Sequence, residues 1–235
     1  MYRRALGANV KRLREGAREV MVPMLRRLQP EYVTDAYANA LADAFAAMRN
    51  LYFGAGVSAD IIANSFVSST DTINKARFYK AMERVVGIDL ATVIQNEGLE
   101  DILLATTQEN VGLIRTIPEE YFKKLETVVY TGTTQGRNAG SMIKEIVRIG
   151  KVTERRAKLI ARDQTSKMNS ALNQHRATNL GSEEYVWRTA QDDRVRDTHR
   201  SKNGKTFRWD KPPKDTGHPG EDIQCRCIAQ PVIKI

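Results

Sequence analysis

Up to about residue 179 the apolar side chains recur at intervals of three and four; from residue 184 they alternate. The first period belongs to helices with one buried stripe and the second to half-buried strands, so a change of period marks a change of architecture. Leu6, Val10, Leu13, Ala17, Met21, Met24 and Leu28 make the first stripe, with a kink expected at Pro23, which lacks the N–H that a helix interior needs. The alanine-rich residues 31–52 predict a second helix, ended by Gly54-Ala55-Gly56. Further helices are expected at about 71–86, capped by Ser69, Thr70 or Asp71, then at 98–116 and 118–130, with Pro118 opening the last. The small polar tract 131–136 reads as a hinge. Beyond it the pattern predicts a short helix at 139–148 and a longer one from about 153 to 179, stopped by Gly181. On the long helix Gln164 and His175 are the polar members of an apolar face, a place where histidine usually serves packing.

After the change of period, strands are expected at 184–189, 205–209 and 225–233. A helical turn is expected at 194–200, a tight turn at Asn203-Gly204 and a loop at 212–222. The fold class is therefore mainly α: an all-helical N-terminal region, residues 1–137, followed by a small α+β C-terminal domain, residues 138–235, with an antiparallel sheet. Trp187 and Phe207 are expected to pack that sheet on the long helix.

Charge is unevenly spread. The net charge is +9. Residues 1–30 carry 8 Lys/Arg against 2 Asp/Glu, residues 31–150 carry 11 against 15, and residues 151–235 carry 18 against 11. Two basic ends suit contact with polyanions, nucleic acid above all. Arg3, Arg4, Lys11, Arg12, Arg14 and Arg18 lie mostly outside the first apolar stripe and are the candidate binding residues for nucleic acid or a partner. Two cysteines one residue apart cannot staple distant segments, which points to synthesis in a reducing cytoplasm. The first residues lack the apolar run of a secretory signal, and no stretch reaches the ~18 apolar residues of a membrane span, so a soluble protein without membrane contact is expected.

The chemistry-bearing residues gather in the last part of the chain. His199, His218, Cys225 and Cys227 have the number and softness for tetrahedral zinc, although one intervening residue, Arg226, is fewer than paired zinc cysteines usually have. Packing is the alternative, since alternation sends both cysteines to one face; a disulfide would be strained, because in a strand their Cα atoms stand roughly 6.5–7 Å apart. Asp193, His199 and His218 also admit a metal-dependent nuclease or toxin-like effector, in which a carboxylate holds a cation and an imidazole activates water. Asp192 and Asp193 equally suit the cap of a turn, and Arg194 and Arg196 suit pairing with acids or a grip on phosphates. No phosphate-cradling glycine loop, HExxH helix or nucleophile elbow is present.

Residues 185–189, the string WRTAQDDRVRDTHR with Trp187, Asp193, Arg194, Arg196 and His199, then Asn203-Gly204, His218-Pro219-Gly220 and Cys225-Arg226-Cys227 together resemble the phage Mu F-like head morphogenesis proteins. The resemblance covers roughly residues 138–235 and includes Arg162; Gln224 stands where that pattern has asparagine. It implies a low-copy minor capsid protein of a tailed phage or prophage, acting in head assembly at the portal vertex. Portal and capsid proteins are then its partners, packaged double-stranded DNA a possible contact, and the virion its location, with no enzymatic reaction and no small-molecule substrate.

Overall fold

A computed structural model describes residues 1–27, 35–54, 56, 58–87, 89, 94 and 96–233. The described elements are α1 (Tyr2–Gly16), a π-helical turn (Ala17–Met21), α2 (Val22–Arg27), α3 (Asp35–Phe53), α4 (Ala59–Val86), α5 (Glu100–Thr134), α6 (Ala139–Asn179), β1 (Glu184–Arg188), α7 (Asp197–Arg200), β2 (Thr206–Arg208) and β3 (Ile228–Val232). The protein is mainly α with a small antiparallel sheet near its C-terminus. Among the described residues no helix is long and apolar enough to cross a membrane.

Several expected breaks are absent, each for a local reason. Helix α4 starts at Ala59, where the Ser58 hydroxyl accepts the Ile61 N–H; Ser69, Thr70 and Asp71 lie inside it, with Ser69 bonded back to the Phe66 carbonyl. Pro118 sits within α5 instead of opening a helix. Ile114, Ile117, Tyr121, Phe122 and Leu125 are buried on both sides of it, and that burial outweighs the one hydrogen bond the ring removes. The expected hinge at 131–136 is instead the last turn of α5 and its cap. Gly136 adopts φ +65°, Arg137 N–H reaches the Gly132 carbonyl and Gly136 N–H the Thr133 carbonyl, the double bond of a Schellman ending. Gly132 is no swivel, since a Cβ there would overlap Met142 Sδ. Likewise the two helices expected between 139 and 179 are one, and Gly150 within it leaves room for the Arg14 stem, which a Cβ there would meet at 2.9 Å.

Backbone contacts divide the chain into two compact units, Met1–Ala63 with Asn110–Ala161, and Asn64–Glu109 with Arg162–Ile235. That partition differs from a single boundary at 137/138, because helices α4, α5 and α6 each contribute residues to both units. In the first unit the expected stripe is buried: Leu6, Val10, Leu13, Ala17, Met21 and Met24, while Leu28 lies outside the described residues. The irregularity near Pro23 takes the form of the π turn. Pro23 cannot donate to the Glu19 carbonyl, and Val22 N–H reaches back five residues to Ala17. Arg3, Arg4, Lys11, Arg12, Arg14 and Arg18 are all exposed; of these, Arg14 is paired with Glu154 at 2.9 Å and Lys11 with Glu15 at 3.6 Å.

In the second unit α6 ends as the sequence predicts, at Gly181 (φ +78°), with Ser182 N–H on the Ala177 carbonyl and Gly181 N–H on Thr178. The sheet order is β2-β1-β3, all antiparallel, with Tyr185 opposite Phe207 and Pro231, and Trp187 opposite Ala229. β3 starts three residues later than expected, leaving Cys225 and Cys227 in the preceding loop. Asn203-Gly204 makes a turn into β2, not a two-residue hairpin: Gly204 (φ +79°) donates to the Trp187 carbonyl, and the Asn203 carboxamide accepts from Thr189. Trp187 and Tyr185, both fully buried, pack with Phe78, Tyr79, Met82, Ala177, Trp209 and the two cysteines, and Phe207 covers the cluster from its edge. Gln164 and His175 both find partners, Gln164 on Glu109 at 3.0 Å and His175 Nε2 on the Glu97 carbonyl at 2.6 Å.

A candidate metal centre beside an arginine-lined cleft

Helix α7 and the loop before β3 bring His199, Cys225 and Cys227 together, all buried, with their ligand atoms within 4.8 Å of one another. His199 Nδ1 lies 3.5 Å from each sulfur. A tetrahedral zinc with bonds near 2.3 Å to sulfur and 2.0–2.1 Å to nitrogen separates N from S by roughly 3.5–3.6 Å, so the spacing fits that ion. The other imidazole nitrogen, Nε2, is 2.8 Å from Asp222 Oδ2. A hydrogen on Nε2 given to that carboxylate leaves the Nδ1 lone pair aimed at the sulfurs, which is the carboxylate–histidine arrangement that orients metal-binding imidazoles. Trp187 holds the ring edge-on, centroids 5.4 Å apart.

The thiols sit in an environment that favours one thiolate. Cys225 is held below the usual thiol range, first by the hydrogen bond from Cys227, against the opposing effect of burial, and further by the backbone N–H groups of Cys227 and Gly220. Cys227 is pushed up for the reciprocal reason. Both cysteines are free thiols and buried.

Short polar contacts from α6 fix the cysteine loop. Ser166 Oγ donates to the Cys225 carbonyl at 2.6 Å, Ser170 Oγ bonds the Pro219 carbonyl, and Gln224 N–H is accepted by Asp163 at 2.8 Å. Gln224 itself lies at φ +60°, a region that asparagine tolerates better than most side chains, which gives a physical reason for asparagine at that position in the pattern. Gly220, at φ +97°, approaches α6 so closely that a Cβ would stand 2.8 Å from Ser170 Cβ. Gly220→Ala is therefore expected to destabilise the second unit by about 2–4 kcal/mol, combining left-handed strain with overpacking. Urea unfolding followed by tryptophan fluorescence, with both tryptophans in that unit, would read the change.

The expected fourth ligand does not join the group. His218 Nδ1 is 3.1 Å from the Tyr185 hydroxyl, Nε2 is 3.4 Å from Gln174 Nε2, and its backbone N–H is accepted by Glu221. Buried among Tyr185 and Trp209, it is shifted toward the neutral form by desolvation. Nor do Asp193, His199 and His218 assemble as a nuclease centre: Asp193 and His218 lie outside the cluster, and His199 is committed to Asp222. Asp192 does cap its turn, accepting from Arg194 N–H, but its ion pair is with Arg226, two contacts of 2.5 Å, and not with Arg194 or Arg196.

In front of the cluster opens a cleft of about 170 Å³ whose walls carry Arg162, Arg194, Arg196 and Arg226. Sequence reasoning missed Asp222 as the orienting carboxylate, whose only signal was its place three residues before Cys225. It also missed the convergence of these arginines, which come from a helix and two loops.

Residues 123–230 match the family described as phage Mu protein F like protein. The chain is also 39% identical over 176 residues to an uncharacterized protein of Haemophilus influenzae (strain ATCC 51907 / DSM 11121 / KW20 / Rd); the aligned part is 74% of this chain and 39% of that protein. The chain thus spans about two-fifths of the length of the curated relative it matches. No solved structure matches it.

Proposed function

Since residues 123–230 belong to the phage Mu protein F-like family, we propose that this chain is a minor head morphogenesis protein of a tailed phage or prophage, housed in the virion near the portal vertex. The family match carries this reading. Its role is structural: the helical residues of the N-terminal region make assembly contacts with portal and capsid proteins, and the C-terminal lobe is a brace whose loops are tied at His199, Cys225 and Cys227 by zinc. The exposed basic residues of α1, Arg3, Arg4, Lys11 and Arg12, face packaged DNA. The nuclease alternative loses its support, since its three residues are not gathered around one point.

A stop codon placed early in the gene, in the phage or induced prophage that encodes it, tests the assignment. The expected result is a collapse of infectious titre and of DNA-filled heads, restored by a plasmid copy, with the protein found in purified wild-type particles. An unchanged titre, together with particles lacking the protein, would overturn it.

A further inference from the structure

We propose that the cleft in front of His199, Cys225 and Cys227 is a binding site for a phosphate-class oxyanion, gripped by Arg162, Arg194, Arg196 and Arg226. Four guanidinium groups border one recess of about 170 Å³, and no carboxylate lies on its walls. Elsewhere in the chain arginines meet acids: Arg14, Arg49, Arg137 and Arg156 each rest on a glutamate. Around the cleft that neutralisation is incomplete. Arg162 is tied to a neutral amide, Gln224 Oε1 at 3.0 Å, and Arg196 to the Ile223 carbonyl at 2.6 Å, with Asp222 farther off at 3.5 Å and already shared with His199. Arg226 is balanced by Asp192. Arg194 belongs to none of the ion pairs among the described residues. Set against the four guanidinium groups, Asp192, Asp222 and one cysteine thiolate leave the recess net positive.

Geometry narrows the ligand. Guanidinium forks match tetrahedral oxyanions through paired N–H donors, better than they match halides or neutral groups. Neutral acceptors hold Arg162 and Arg196 in place, so little side-chain entropy is lost when an anion arrives. A plain solvated face would spread such side chains apart, whereas here residues from α6, the loop after β1 and the cysteine loop converge. A free phosphate and a phosphodiester of a nucleic acid backbone share this chemistry. The inference stands on the cleft alone and does not depend on the role in head assembly.

The test titrates the intact chain with inorganic phosphate by calorimetry, and with a short labelled DNA duplex by fluorescence anisotropy. Wild type is expected to bind phosphate, and Arg194→Gln to weaken that binding about tenfold, as loss of a charge-assisted hydrogen bond implies. Arg162→Gln serves as the second variant, and circular dichroism checks that both fold. If the duplex is displaced by phosphate and Arg194→Gln weakens it with a salt slope lower by about 1, the source is a nucleic acid backbone. If the duplex is indifferent to Arg194 while phosphate is not, the source is a free or small phosphate. No phosphate binding at millimolar concentrations, or affinities unchanged in both variants, would overturn the proposal. Continued phosphate binding by a chain with no effect on head formation would sink the assembly role and leave this site standing.

Discussion

Replacing Arg176 with alanine is expected to destabilise the second unit by about 3–5 kcal/mol, enough to unfold a marginal domain at moderate temperature. The Arg176 side chain is completely shielded from water. Its guanidinium donates to Glu97 through Nε at 3.1 Å and a terminal nitrogen at 2.8 Å, to Asp71 at 2.6 Å, and to the Asn74 carboxamide oxygen. Around it the Tyr79 hydroxyl donates to Glu97 at 2.5 Å, and Asn74 donates to Asn169 and Asn173. Removing the cation leaves the buried Glu97 carboxylate beside the partly exposed Asp71 with only the Lys75 ammonium, 3.9 Å away, to balance it, and the penalty is that of a poorly compensated charge more than of a lost contact. Arg176→Lys should recover little, because one ammonium cannot reproduce a fork aimed at three acceptors. Urea unfolding of both variants, monitored by tryptophan fluorescence, measures the difference.

The same network sets a pH dependence. Burial by itself would raise the Glu97 carboxyl, but hydrogen bonds from Arg176 and Tyr79 and the charges of Arg176 and Lys75 outweigh it and hold the group below the usual range. A carboxyl depressed in the folded state contributes its full stability above the unfolded value, about 4.3, and loses it as the pH falls through the folded value. Acid unfolding should therefore steepen below about pH 4. Tyr79, raised by burial and by Glu97, stays protonated and keeps donating throughout.

This network illustrates what a sequence conceals. Arg176 and Glu97 lie 79 positions apart, and neither belongs to a periodic pattern that would announce the other. What depends on period was legible, the buried stripe from Leu6 to Met24 and the alternation through Tyr185 and Trp187, and so was one local stop, the end of α6 at Gly181. What failed were local punctuation marks overruled by packing. Pro118 reads as the start of a helix, the tract holding Gly132 as a hinge and residues 149–152 as a gap between two helices, yet all lie in continuous helices: side chains bury on both sides of Pro118, and Met142 and the Arg14 stem take the space that a Cβ would need at Gly132 and Gly150. Residue type found three members of the polar cluster and overcounted one. His218 has the right chemistry, but Tyr185 and Gln174, brought near by the sheet and α6, take both of its nitrogens.

That overcount sharpens the metal prediction. Protein made in zinc-supplemented medium is expected to hold one zinc per chain, and His218→Ala, though destabilising, should leave that stoichiometry intact. Cys225→Ser, Cys227→Ser and His199→Ala should each abolish it, and Asp222→Asn should weaken affinity about 10–100-fold, because the carboxylate aligns the imidazole without touching the ion. Chelation should cost several kcal/mol of folding free energy, since the loops that carry the ligands have no preformed site when unfolded. Cobalt substitution offers an independent reading: two thiolates would give an intense charge-transfer absorption in the near ultraviolet, lost in either serine variant. If the cysteines serve only as small apolar side chains, the serine variants would lose modest packing energy, chelator would leave the melting temperature unchanged, and elemental analysis would find no zinc. The two readings part most sharply at Asp222. A half-buried loop aspartate bonded to His199 and Arg196 has only its own contacts to lose beside a packed thiol pair, but it governs a histidine that must present its Nδ1 lone pair to a cation.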